Sequence, residues 1–360
     1  MAAFGAPGAA GMTPAALSLW AGFAIGLVFG AVGQRTGFCL TRAMHGLWIT
    51  GDSNKLRAFA LALAVAILCS QALDAAGLID LRRSIYLASG FSWLSVPLGG
   101  IVFGYGMIMA NGCGARALVL LGQGNLRAFV VLLCLGIAAY ASLTGIIAPL
   151  RTWLAALTST DFSPVPPTLP AVALGQTPPA GLRLSLAVAL SAALAAYALA
   201  SPTFRASARD LAGGLIIGAL VPAGWLATGV LGADDFEPVP LASLTFIAPI
   251  GETIQYLMLA TGMPLRFGVT AVAGTFLGAL IAALASGSAR LESFSSPQRM
   301  LRSMAGGVLM GVGGALALGC SIGQGLSGLS TLAIGSLLAA AGIFTGASLA
   351  LRGPLRLPQI

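Results

Sequence analysis

The sequence predicts an all-α polytopic membrane protein with about nine transmembrane helices plus re-entrant half-helices, arranged as two inverted repeats. Three observations carry that prediction. Of 360 residues, 58% are hydrophobic and only 8% charged, with a mean hydropathy of +0.95, whereas soluble domains carry about one-quarter charged residues. The apolar residues are gathered into runs of roughly 20, the length at which a helix crosses hydrocarbon while satisfying its own backbone hydrogen bonds. Finally, the chain resembles itself: the Gly26 to Gly30 stretch in an early run returns as Gly214 to Gly218.

Taken in order, residues 1–14 read as a disordered tail, because no positive residue precedes the first apolar run as a secretory signal would require. Spans are predicted at 17–33, 58–78, 96–110, 127–150, 182–200, 211–230, 267–286, 304–318 and 328–351. The amphiphilic pieces 40–49 and 245–258 are too short to cross and occupy matching places after the first span of each half, so they read as half-helices. A single membrane domain, 15–351, therefore divides into repeat one (15–150), a linker and linking helix (151–205) and repeat two (206–351). A cytoplasmic tail follows at 352–360. Four spans per half, with a linking span between, set the halves in opposite orientations, an architecture that places a solute near the midplane where broken helices meet.

The formal charge of +8 does not suggest nucleic acid, since the arginines are scattered between apolar runs. With the N-terminus outside and the C-terminus inside, Arg35, Arg42, Lys55, Arg57, Arg116, Arg127, Arg205, Arg209, Arg290, Arg299, Arg302, Arg352 and Arg356 fall on the inner side. Only Arg82, Arg83, Arg151, Arg183 and Arg266 fall outside, so the positive-inside rule sets this orientation.

Three of the 5 cysteines share a local grammar. Cys39 follows Thr36 and Gly37; Cys113 lies between Gly112 and Gly114, after Asn111; Cys320 lies between Gly319 and Ser321. Each follows an apolar helix at a glycine-containing break, and irregular backbone at membrane depth is tolerated where it lines a cavity. Cys69 and Cys134 sit inside unbroken apolar runs and read as small hydrophobes. A related break at Gly224 has no thiol. Two solutes suit such thiols. Soft metals favour thiolates, but His45 is the only histidine and no Cys-x-x-Cys is present. A sulfur-containing anion is the other: a protonated thiol is a weak donor, which holds an ion without trapping it. Arg35 and Arg116, close to junction cysteines, and the polar Thr36, Asn111, Ser321 and Gln324 support an anion. Glu252 is an intramembrane carboxylate candidate for coupling. The Gly323 to Gly328 stretch fits a dinucleotide fingerprint letter by letter, but no strand precedes it, so helix packing accounts for it better. No nucleotide motif and no hydrolytic triad accompany these residues, and the chain reads as a transporter, not an enzyme.

At these residues the sequence resembles the YeeE/YedE family of membrane transporters for thiosulfate and related sulfur compounds. The motifs are Gly37-Phe38-Cys39, Asn111-Gly112-Cys113 with Gly124-Asn125-Leu126, and Gly319-Cys320-Ser321 with Gly323-Gln324-Gly325-Leu326. The resemblance implies re-entrant loops that converge at the centre and a pathway in which Cys39, Cys113 and Cys320 relay thiosulfate inward through S–H hydrogen bonds. It further implies the bacterial cytoplasmic (inner) membrane, no cofactor and no metal. Membrane lipid and a small soluble sulfur carrier of the TusA type are the implied partners, with no nucleic acid. A membrane-embedded sulfurtransferase, which would carry a persulfide, and a metal or ion channel, which would bind metal stoichiometrically, are the competing functions.

Overall fold

The computed structural model describes residues 13–88, 90–162, 165–234, 239–294, 296–353, 355 and 357. Residues 1–12 of the expected tail at 1–14, and residues 354, 356 and 358–360 of the expected tail at 352–360, lie outside them; Thr13 and Pro14 instead cap and begin the first helix. The first half comprises α1 (Pro14–Thr36), the short α2 (Leu40–His45) with a π turn over Gly46–Thr50, α3 (Asn54–Ala75), strand β1 (Gly90–Ser92), α4 (Ser95–Met109), α5 (Gly114–Gly122) and α6 (Leu126–Leu143). Between the halves run α7 (Ala148–Thr158), β2 (Ser159–Asp161), α8 (Leu169–Leu174), α9 (Ala180–Leu199) and α10 (Pro202–Ala206). The second half holds α11 (Ala208–Leu226), α12 (Ile247–Leu259), α13 (Phe267–Ala285), α14 (Pro297–Leu316), a π turn over Gly323–Gly328 and α15 (Ile334–Leu351).

Among the described residues, 8 helical segments are long and apolar enough to cross a membrane. The ninth expected span, 304–318, falls on α14, whose first turns carry Arg299 and Arg302 and so dilute its hydropathy. Two boundaries differ from expectation. The span expected at 127–150 ends at Leu143, because the chain turns through Thr144 to Ile147 before α7. The span expected at 328–351 begins only at Ile334, since the preceding residues form turns. Both half-helices expected from the sequence are present, as α2 with its π turn and as α12. The outer surface is apolar: Trp20, Ile137, Ile281 and Leu284 are all more than half exposed, the pattern of side chains whose solvent is lipid.

Helices of one half pack mainly on helices of the other. α1 lies along α13 and α3 along α11; α4 lies along α15 and α6 along α14; α1 meets α11 and α4 meets α14. Close approach is possible because glycines face backbone. A Cβ on Gly30 would run into the Thr275 carbonyl of α13, and one on Gly218 into the Ala62 carbonyl of α3. In lipid, where apolar surface gives helices no reason to associate, such contacts provide much of the packing. Gly30→Leu is expected to destabilise the protein by about 3 kcal/mol, the cost of forcing extra carbons between two packed backbones. A lowered midpoint for thermal unfolding in detergent checks this; an unchanged midpoint would contradict the packing described.

Two short pairings tie the linker to the core. β1 and β2 pair antiparallel, with Phe91 opposite Thr160, and Phe91 stacks on Phe162 at 5.6 Å. The Leu169 amide donates to the Leu332 carbonyl at 2.9 Å, just ahead of α15.

Candidate functional site

The three junction cysteines are brought to one place by three helix endings. α1 stops at Gly37, whose left-handed conformation (φ 65) ends the helix while its amide still bonds to the Gly33 carbonyl. Thr36 secures the break: its hydroxyl donates to the Val32 carbonyl at 2.8 Å and accepts from the Phe38 amide at 3.2 Å. Lys55, paired with Asp210 at 2.6 Å, also donates to the Thr36 carbonyl at 2.8 Å. Cys39 follows in extended conformation as the N-cap of α2.

The other two breaks share one design. α4 ends with Asn111 at φ 58 and α14 with Leu318 at φ 56, each a non-glycine residue in the left-handed region. The next amide folds back in both: Gly112 donates to Met107 at 3.0 Å, and Gly319 to Gly314 at 2.9 Å, the bond that closes a Schellman ending. Cys113 then caps α5. Cys320 instead accepts a bond on its sulfur from the Gly323 amide at 3.2 Å, while its carbonyl accepts from Gln324 at 2.7 Å.

All three sulfurs are deeply buried, with Cys39 5%, Cys113 2% and Cys320 1% exposed. Cys39 and Cys113 are neighbours. Cys39 is also beside the Thr41 hydroxyl and the Arg42 amide, and Cys113 is beside the Ser321 hydroxyl and the Arg116 amide. Cys320, next to Ser321 in the chain, lies beside the Thr245 hydroxyl and the Phe246 amide, with Tyr86 close behind. The hydroxyls of Thr41 and Ser321 are buried and make no hydrogen bond. Stacked Phe38 and Phe59, and Phe29 against Phe246 at 5.0 Å, give this region apolar walls.

On the side of α2 the cluster opens into a cavity of about 930 Å³ whose lining includes Cys39, Thr41, Arg42, Asn111, Gly112 and Arg116. Cys113 and Cys320 do not line it. On the opposite side Tyr86 closes over the cluster, set edge-on against Trp225 at 6.2 Å.

The structure gathers most of the residues singled out from the sequence, but not all. Gly37, Gly112, Gly114 and Gly319 are buried at the breaks; the start of α5 rests on α12, where a Cβ on Gly114 would lie 3.1 Å from Ile250. Gln324 holds the α14 ending through a 2.6 Å bond to the Ala317 carbonyl. Arg116 is buried beside the thiols, whereas Arg35 is exposed on the last turn of α1 and outside the cavity lining. Glu252 pairs with Arg266 at 3.4 Å and neighbours Tyr140. Cys69 and Cys134 are half-buried in α3 and α6, with Cys134 packed on Gly307 of α14. Sequence reasoning missed Thr41, Arg42, Thr245 and Tyr86. Thr41 and Arg42 were within reach of it, because they lie two and three residues after a junction cysteine; Thr245 and Tyr86 are brought in only by long-range packing.

These features define a multi-pass helical membrane protein whose broken helices converge on buried thiols. A model of the family described as Sulphur transport matches residues 35–349, and the chain belongs to that family, the YeeE/YedE group. It is similar to the thiosulfate transporter TsuA of Escherichia coli, with 28% identity over 85% of this chain and 86% of the relative. It is likewise similar to TsuA of Spirochaeta thermophila, with 26% identity over 89% of this chain and 94% of the relative. A shorter likeness, 30% identity over 24% of this chain and 20% of the relative, links it to the probable transporter YedE of Salmonella typhimurium.

Proposed function

We propose that this protein takes up thiosulfate, or a closely related sulfur-containing anion, through a central pathway lined by Cys39, Cys113 and Cys320. The observation that carries the reading is that three buried cysteines from three separate helix breaks converge: Cys39 neighbours Cys113, and Cys113 neighbours Ser321, which is next to Cys320 in the chain. Family membership and two relatives named as thiosulfate transporters over most of their length support the substrate. The protein works in the bacterial cytoplasmic membrane with its N-terminus outside and its C-terminus inside, as a transporter without chemistry of its own. The two halves are inverted repeats, a reading supported by their contacts: exchanging α1 with α11, α3 with α13, α4 with α14 and α6 with α15 returns the same list of packed pairs.

The mechanism follows from the donors. A dianion entering from the side of Tyr86 sheds water and needs replacement partners at once. Cys320 with Thr245, then Cys113 with Ser321, then Cys39 with Thr41 offer S–H and O–H donors in succession. Each thiol is a weak donor, so no station becomes a trap, as conduction requires. The sulfur end of thiosulfate is soft and loses less on meeting a thiol than a fully oxygenated anion does. Arg116 beyond Cys39 supplies the charge that draws the ion on. Glu252 with Arg266 is the candidate coupling pair, and a TusA-type carrier is the candidate acceptor of the sulfur.

The test uses purified protein in proteoliposomes. Radiolabelled thiosulfate is expected to enter protein-containing vesicles, with excess unlabelled sulfate competing at least about tenfold less well than unlabelled thiosulfate, a difference of ~1.4 kcal/mol. No uptake above empty vesicles would end the proposal. A persulfide on the purified protein in place of uptake would hand the site to sulfur-transfer chemistry.

A further inference from the structure

We propose that Arg42 and Arg116 form a second anion site, on the inner side of the thiols, that binds divalent oxyanions and does not discriminate sulfate from thiosulfate. The inference deepens the transport reading and rests on it for the direction of flow, but it stands on separate observations. Arg116 is only 7% exposed. Its guanidinium makes one hydrogen bond, to the Gly33 carbonyl at 3.4 Å, so most of its donors are unspent. Its stem crosses Gly112, where a Cβ would stand 3.3 Å from it, which holds the head at the cavity floor.

A buried cation of this kind normally has a carboxylate, because an uncompensated charge away from water is costly. Among the described residues Arg116 has none. The ion pairs there are Lys55 with Asp210, Arg183 with Asp74, and Arg266 with Glu252. Of the acidic residues that line the cavity, Glu292 accepts from Asn125 at 2.7 Å and Asp52 accepts from the Asn54 amide at 2.9 Å. The charged neighbour of Arg116 is instead a second cation, Arg42, close enough for the two to repel. Arg42 is exposed to the cavity and rests against Gly37. Two guanidiniums with donors to spare, in a cavity whose lining also carries the cations Lys55 and Arg127, are stabilised by a dianion that bridges them.

The chemistry of this site differs from that of the thiols. Guanidinium forks grip oxyanion oxygens, often with two bonds at once, and those oxygens are common to sulfate and thiosulfate. Selection therefore takes place at the sulfurs, and the arginines receive whatever has passed. Sulfate inside the cell then competes for the receiving site and slows release.

Equilibrium binding of radiolabelled sulfate to detergent-purified protein, at low ionic strength in a background of a monovalent anion, tests the site. Wild-type protein is expected to bind sulfate. Arg42→Gln is expected to weaken binding about tenfold, the effect of losing a charge-assisted bond, and Arg42→Glu to abolish it. Arg42 is exposed, so both variants should keep a monodisperse elution profile. Cys113→Ala should bind sulfate as wild type does while losing thiosulfate uptake. Wild-type affinity in both Arg42 variants, or no binding of sulfate by wild-type protein, would overturn the site. Undiminished uptake by Cys113→Ala would overturn the thiol pathway instead, leaving the sulfate result to be judged on its own.

Discussion

Cys113→Ala is expected to abolish growth of a sulfate-uptake-deficient host on thiosulfate, and Cys39→Ala and Cys320→Ala to do nearly the same. Cys113 is the middle member of the cluster, in reach of Cys39 on one side and of Ser321, the neighbour of Cys320, on the other. Alanine removes the donor and leaves a methyl group where a dianion must pass. A hydrogen bond to a charged group contributes about 1.5–3 kcal/mol, and a barrier raised by that much slows passage roughly 10- to 100-fold. Cys69→Ala and Cys134→Ala are the controls: both lie within continuous helices and neither touches the cluster, so growth should be that of wild type. Equal growth of all five variants would leave the thiols without a role. Cys113→Ser is informative in a different way, because a hydroxyl is a better donor but a harder one; slower uptake with tighter retention is expected.

The second large effect concerns the order of access. Of the three thiols only Cys39 lines the wide cavity, while Cys320 lies behind Tyr86 on the other side. In inside-out membrane vesicles a membrane-impermeant methanethiosulfonate is expected to block transport completely, and Cys39→Ala protein should remain unlabelled there. Right-side-out vesicles given the same reagent should keep most of their activity, since reaching Cys320 requires Tyr86 to move. Thiosulfate in the medium should slow labelling of Cys39, because ion and reagent compete for one position. Labelling of Cys320 from the inner side before Cys39 would reverse the proposed order and the orientation with it.

Much of this was legible in the sequence, for reasons that can be traced to particular residues. Cys39, Cys113 and Cys320 stood out because glycines beside them break apolar runs, and a break at membrane depth is costly unless buried in protein. The half-helices at 40–49 and 245–258 were legible by length alone. The contact faces were less so. In water a helix advertises its buried side by alternation of polar and apolar residues, but lipid is as apolar as a protein interior, so α1 and α13 carry no such stripe. The glycines at positions 99, 100, 104 and 106 in α4 recur at 306, 307, 311 and 313 in α14, and these mark the true contact lines. Arg35 and Arg116 could not be ranked by their distance along the chain from a cysteine. One is exposed on a final helical turn, the other is the third residue of a helix whose first residues are buried. The end of α6 was marked, but by punctuation and not by hydropathy: Gly145 directly follows the capping Thr144 and Pro149 comes soon after, within a run that stays apolar.

The reciprocal packing of the two halves bears on how the molecule is made. When α6 leaves the ribosome, α1, α3, α4 and α6 have been inserted, yet the surfaces they will bury belong against α13, α11, α15 and α14, which are still untranslated. Until then their glycine-lined flanks face lipid or the insertion machinery. The nascent first half is thus a set of loosely held spans, and assembly waits for the last helix of the chain.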